Sequence, residues 1–154
     1  MYGTTRTSNQ YPVIHIGGYN QTVGYVSWAA FINGDPYIGI RQPSGCGMDA
    51  TTRNLFVYRA NLLLGRPYTV VNQIYYDVTS SSTYVYPSMI SSIRCDGVVE
   101  YTYEWYGYRV GGPDNYWNIT INAAANLNAH AGSNVTPKKQ CDNLLAYSSN
   151  DYPD

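Results

Sequence analysis

Residues 91 to 107 read "SSIRCDGVVEYTYEWYG", and this stretch constrains the chain more than any other. Small polar residues open it and Gly107 closes it. Val98, Tyr101 or Thr102, and Trp105 recur at helical spacing between them. The pattern predicts an amphipathic helix over 94–107, with Ser91 or Ser92 as its cap. Cys95 then falls in the first turn, where free N–H groups and the positive end of the helix dipole favour an anion. A thiolate in that setting is stabilised, and Arg94 adds a positive charge beside it. The same N–H groups suit an oxyanion forming on a substrate carbonyl. A small buried cysteine near a helix start fits the position equally well.

Bulk properties limit the company that Cys95 keeps. The chain has 154 residues with 44% hydrophobic, which suits a single domain over 1–154 with one core. A net charge of −1 gives no electrostatic footprint for nucleic acid. No apolar run is long enough to predict a transmembrane segment. There are 18 Tyr against 2 Phe and only 12% charged residues, with Lys confined to Lys138 and Lys139. Such a surface is common outside the cytoplasm and points toward the cell envelope or secretion. Three cysteines, Cys46, Cys95 and Cys141, cannot form a closed disulfide set. Pairing of Cys46 with Cys141 would leave Cys95 free. With no CxxC pair and two histidines, no metal site is expected, and no cofactor.

The remaining elements follow from period and punctuation. "YPVIHIGGYN" (11–20), "VGYVSWAAFI" (23–32) and "YIGIRQ" (37–42) read as three strands. A turn at "NGDP" (33–36) joins the last two, and the simplest arrangement is an antiparallel meander. "ATTRNLFVYRANLLLG" (50–65) reads as a helix with Asp49 as N-cap and Gly65 just past its end. Its expected buried face is Leu55, Phe56, Ala60, Leu62 and Leu63; a strand through "NLFVYR" is the alternative. Residues 69–92 show no period, and the Ser/Thr run at 79–83 reads as exposed loop. A short helix over 137–146 is expected, with Thr136 as cap and Pro137 at its first position. Glu100 and Glu104, one turn apart, read as a solvated helix face. The three Asn-x-Thr triplets at 20–22, 118–120 and 134–136 are expected by chance in so Asn- and Thr-rich a chain.

A nucleophilic cysteine needs a base, and the choice lies between His15 and His130. His15 sits in a strand, with Gly17 and Gly18 leaving room for an imidazole. His130 lies in a polar, loop-like stretch. Rigidity favours His15.

These residues also carry a resemblance. "IRCDGVVEYTYE" resembles the nucleophile helix of the NlpC/P60 cysteine peptidases. "LGRPYT" (64–69) resembles the Gly-x-Pro-Tyr element of that family, and "VIHIGGYN" its histidine strand. With His15 ahead of Cys95, the order is that of the circularly permuted branch, which includes YiiX-like and lecithin retinol acyltransferase-like proteins. The resemblance covers about residues 11–107. It implies an α+β, papain-like fold: an antiparallel sheet packed against the nucleophile-bearing helix. It also implies Cys95 as nucleophile, His15 as base, and Tyr68 and Asp96 on the substrate side. The implied substrate is a cell-wall (peptidoglycan-like) peptide, a related amide or an acyl group, cleaved through a Cys95 thioester.

The pattern departs from the family in three places. Asp96 replaces a Ser, Arg94 an Asp, and Gly18 an Ile. The strand expected to supply a third catalytic group offers only Ser27, with Asn20 just before it. A backbone carbonyl or water is the remaining option for orienting the imidazole. Two other functions are therefore carried alongside hydrolysis: acyl transfer, and a non-catalytic module that binds a glycan or peptide through its tyrosines.

Overall fold

The computed structural model describes residues 13–33, 40–43, 45–47, 49–77, 81–110, 117–119, 137–141 and 145–149. These form a mixed α+β structure. In chain order the elements are β1 (Val13–His15), β2 (Gly24–Val26), α1 (Trp28–Phe31), β3 (Ile40–Pro43) and α2 (Ala50–Asn61). There follow β4 (Ile74–Tyr76), β5 (Ile90–Ile93), α3 (Cys95–Glu104), α4 (Pro137–Lys139) and β6 (Leu145–Ser149).

Three antiparallel pairs make up the strands: β1 with β2, β4 with β5, and β3 with β6. The expected meander does not form, because β3 takes β6 as its partner. The second predicted strand is also shortened. It stops at Val26, and Ser27 turns the chain into α1 by accepting a hydrogen bond from the Ala30 N–H at 3.1 Å. Ser is a strong N-cap, and the Ala pair that follows favours helix over strand.

Residues 65–68 stitch the first two pairs together. Gly65 and Tyr68 donate backbone N–H bonds to Val23 and Gln21, both at 2.9 Å. On the other side, Ile93 donates to the Pro67 carbonyl at 2.9 Å, and Tyr68 bridges Ile93 in parallel. The hydrogen-bonded order is thus β1, β2, 65–68, β5, β4.

The helix over 50–65 forms as expected from its ends. Asp49 caps it, accepting from the Thr52 N–H at 2.7 Å. Its buried stripe is narrower than expected: Phe56, Val57, Ala60 and Leu63 are covered, while Leu55 and Leu62 are exposed. α3 lies against it, and Val57, Ala60 and Leu63 join the main core, contacts that an i, i+4, i+7 stripe serves.

α3 is buried almost throughout, from Asp96 to Glu104 apart from the half-covered Val99. Its start differs from expectation. Ser91 and Ser92 belong to β5, and Arg94 takes the N-cap position with no side-chain cap bond. The end agrees, with Gly107 in the left-handed region at φ 85°. Glu100 and Glu104 do not face solvent; both are fully buried. Glu104 accepts the Val110 N–H at 3.0 Å, and Gln140, itself buried, donates to the Asp96 carbonyl at 3.0 Å. Chain that returns after α3 covers the face that the sequence reads as solvated.

Gln140 follows directly on the one helical turn of α4, shorter than the helix expected over 137–146, whose end is β6 instead. The bulk of the turn at 33–36, residues 79–80, Thr136, His130 and the triplet at 134–136 lie outside the described residues. No helix among the described residues is long and apolar enough to cross a membrane.

The main core joins Ile14, Ile16 and Val23 of the first hairpin to Ile74, Ile90 and Ile93 of the second, roofed by Val98 and Tyr101 of α3. Packing against backbone is tight at Gly97. A Cβ there would lie 2.4 Å from the Gln73 carbonyl oxygen and under 3 Å from Ile74 and Ile93 side-chain carbons. A helical Gly→Ala change ordinarily gains about 1 kcal/mol. Here overpacking against backbone costs about 3 kcal/mol, so Gly97→Ala is expected to lose about 2 kcal/mol net. Urea unfolding of the two proteins checks the sign.

Candidate functional site

Cys95 is the first residue of α3 and half-buried, bordering the main core. Burial pushes its thiol above the ordinary value, and the Asp96 carboxylate pushes it further. The Asp96 N–H, Arg94 and the N–H of Cys95 pull the other way without winning. The backbone therefore serves the sulfur as a helix start should, yet the resting group is a protonated thiol at neutral pH.

Arg94 and Asp96 flank it as a closed pair. The guanidinium meets the fully buried carboxylate through two bonds of 2.6 Å, Nε to Oδ1 and Nη2 to Oδ2. A bidentate pair of this kind fixes both side chains. Its consequence is that the Arg94 charge, expected to favour a thiolate, is largely committed to its neighbour. Tyr68 borders this group: it bridges Ile93 and lies close enough to raise the Arg94 pKa. Cys95, Asp96, Arg94 and Tyr68 thus come together.

His15 does not join them by any hydrogen bond, ring contact or charge interaction among the described residues. Ile14 and Ile16 enter the core that Cys95 borders. Strand alternation sends Val13 and His15 to the other face, where the imidazole meets the Phe31 ring edge-on at 5.5 Å. Burial lowers its pKa below the usual 6.5, so His15 is neutral at pH 7.

Neither Ser27 nor Asn20 hydrogen-bonds the imidazole among the described residues. Ser27 spends its Oγ on the α1 cap, and the register sets Gly24, not Ser27, opposite His15. Asn20 occupies the hairpin tip with φ 63°. Gln21 lies in the same neighbourhood. Its Oε1 accepts the Gly17 N–H at 3.0 Å, and a Cβ at Gly17 would meet both Gln21 Oε1 and His15 Nε2. The missing side chain at Gly17 is what leaves them room. A glutamine just past a hairpin tip is the sequence signal for such a fold-back bond, and it is a weak one.

All three cysteines are free thiols, so the Cys46–Cys141 bridge left open by the sequence is absent. Cys46 is instead packed with Phe56, Tyr103 and Val110. Among the described residues no three His, Cys, Asp or Glu side chains gather as metal ligands would. Comparison with protein-family models, curated proteins and solved structures returns no match.

The electrostatics of Cys95 are testable by site-resolved alkylation with iodoacetamide across pH. The inflection for Cys95 is expected above that of an ordinary thiol, about 8.5. Asp96→Asn removes a charge that raises the pKa and frees Arg94, so the inflection should move down. Movement upward would contradict the assigned causes.

Proposed function

We propose that this chain is a thiol-dependent hydrolase of amide bonds on a papain-like fold of the permuted NlpC/P60 kind, acting on a cell-wall peptide or a related amide or acyl substrate. The observation that carries the reading is Cys95 opening a buried helix, with first-turn N–H groups serving its sulfur. The resemblance of the Cys95, Tyr68 and His15 segments to the permuted peptidases supplies the reaction.

In that reaction Cys95 Sγ bonds to the substrate carbonyl carbon as its proton passes to His15. The N–H groups at the start of α3 hold the oxyanion. The C–N bond then breaks, and His15 returns the proton to the leaving amine. Water attacks the thioester, releases the acid and restores the thiol. Tyr68 lines the substrate side, while Asp96, fully buried, acts by holding Arg94. Both reacting groups start neutral, so His15 works as a general base and no ion pair precedes attack. The lowered pKa of His15 suits that task, because the base stays available below pH 6.5. Transfer requires the imidazole to reach the thiol in the substrate complex, where catalytic hydrogen bonds commonly tighten.

The position of His15 on the other face of β1 favours a second reading: a non-catalytic module on the same scaffold that binds a glycan or peptide through its tyrosines. Acyl transfer is a variant of the first reading in which an amine or lipid replaces water.

Stopped-flow release from p-nitrophenyl acyl esters and from short peptide anilides separates these. Hydrolysis predicts a burst equal to the enzyme present, abolished in Cys95→Ser and slowed about 100-fold or more in His15→Ala. The acidic limb of kcat/KM should inflect below pH 6.5. Added amine that diverts the acyl group identifies transfer. Turnover that survives Cys95→Ser overturns the thiol mechanism, and no turnover at all leaves the binding reading.

A further inference from the structure

The far end of α3 carries a second feature. Trp105 follows the last residue of the helix, about 15 Å along its axis from Cys95 at the usual helical rise. Tyr84 and Tyr86 stand beside it on an extended segment, two positions apart and hence on one side of the chain. The three rings close a triangle. Centroids lie 5.5 Å apart for Tyr84–Trp105, 6.0 Å for Tyr86–Trp105 and 6.1 Å for Tyr84–Tyr86, with interplanar angles of 42°, 52° and 56°. Tyr84 and Tyr86 remain 36% and 44% exposed, large values for rings in mutual contact.

The cluster is buttressed by neighbouring side chains. The Arg59 guanidinium stacks on Trp105, with Cζ 3.6 Å from the ring centroid. Tyr101, fully buried, packs on Trp105 at 5.7 Å and donates its hydroxyl to the Val85 carbonyl at 2.7 Å. That bond ties α3 to the residue between Tyr84 and Tyr86. The segment is anchored on its other edge as well, where Val85 donates to Trp117 at 3.1 Å and Ile119 to Thr83 at 2.7 Å. Three elements, α2, α3 and the 83–86 segment, therefore present the rings in a fixed arrangement. Rigid aromatic side chains held in advance supply contact at little entropic cost.

We propose that Tyr84, Tyr86 and Trp105 form a binding platform for an oligosaccharide. The geometry favours that occupant over a proline-rich peptide. Prolyl rings dock in grooves lined by separated aromatics, whereas here each ring centroid lies 5.5 to 6.1 Å from the other two. With one face of Trp105 taken by Arg59, what the triangle offers is its exposed tyrosine rings, a surface on which the C–H face of a sugar stacks. Its tyrosine hydroxyls match the hydroxyl rim of a sugar, and the one cation described at the cluster, Arg59, is engaged on the Trp105 ring. The angles between the rings suit a chain that bends across them. The assignment gives the binding reading above a place and a ligand class, and its premise that tyrosines make the contact comes from that reading. It holds whether or not Cys95 is reactive.

Calorimetric titration of the full chain with an N-acetylglucosamine hexamer, cellohexaose and a proline decamer tests it. At least one hexamer is expected to bind with Kd below about 1 mM, at least 10-fold more weakly in Tyr84→Ala/Tyr86→Ala. Tyr86→Ala alone, at an exposed ring, should weaken binding measurably with an unchanged circular dichroism spectrum. Tyr58→Ala, on the exposed side of α2, should leave it unchanged. Binding of the proline decamer through these residues, or sugar binding indifferent to both tyrosine variants, overturns the platform while leaving the binding reading intact. No binding by any probe overturns both. Neither result touches the chemistry of Cys95, which alkylation reads separately.

Discussion

The first turn of α3 lies so close to β4 and β5 that no side chain fits at Gly97, and this contact organises the rest of the molecule. The Gln73 carbonyl occupies the space a Cβ would need, while also accepting the Arg94 N–H at 2.8 Å. Pinned there, α3 roofs the main core with Val98 and Tyr101 on one side and receives α2 through Phe56 and Tyr103 on the other, their rings edge-to-face at 4.6 Å. Cys95 sits at the mouth of the pinned turn. Its environment is a compromise between N–H groups that stabilise a thiolate and burial that opposes one, and burial prevails.

The same closeness explains the acidic side chains of the helix. Asp96 and Glu104 are both buried, and both are answered: Asp96 by Arg94 through two bonds, Glu104 by the Val110 N–H. A buried carboxylate without such partners would cost several kcal/mol, so these bonds are conditions of the fold. The Arg94–Asp96 pair has a chemical effect as well, since it diverts the nearest cation from the thiol. Cys95 is thus a protonated thiol and His15, with no contact to it among the described residues, an uncharged imidazole, so the proposed hydrolysis calls for proton transfer during attack.

What was legible in the sequence was local. Asp49 as cap, Gly107 as stop and Cys95 at a helix start all follow from rules that span four residues or fewer. What was hidden depends on chain that arrives from elsewhere. The pairing of β3 with β6 joins segments about a hundred positions apart, and no periodicity announces it. Glu100 and Glu104 carry the spacing of a solvated face, but residues beyond the helix cover them. Ser27 reads as part of an alternating strand until its hydroxyl is seen capping α1. For the candidate site, the sequence places His15 in a strand but does not choose its face. A step of one residue decides that, and Ile14 and Ile16 take the core side. Gln21 was missed because its bond folds back across a turn to the Gly17 N–H, a contact that no short pattern announces.

The proposed hydrolysis requires Cys95 and His15 to act on one substrate carbonyl. A direct measure is the titration of the His15 ring by NMR before and after Cys95 is carboxymethylated with iodoacetate, with Cys46 and Cys141 replaced by Ser. The added carboxylate lies at the position of the attacking group. If the two residues serve one cleft, the His15 pKa rises on modification, because a nearby negative charge favours the imidazolium. A titration curve that does not move would place the histidine outside the reach of the thiol and contradict the mechanism.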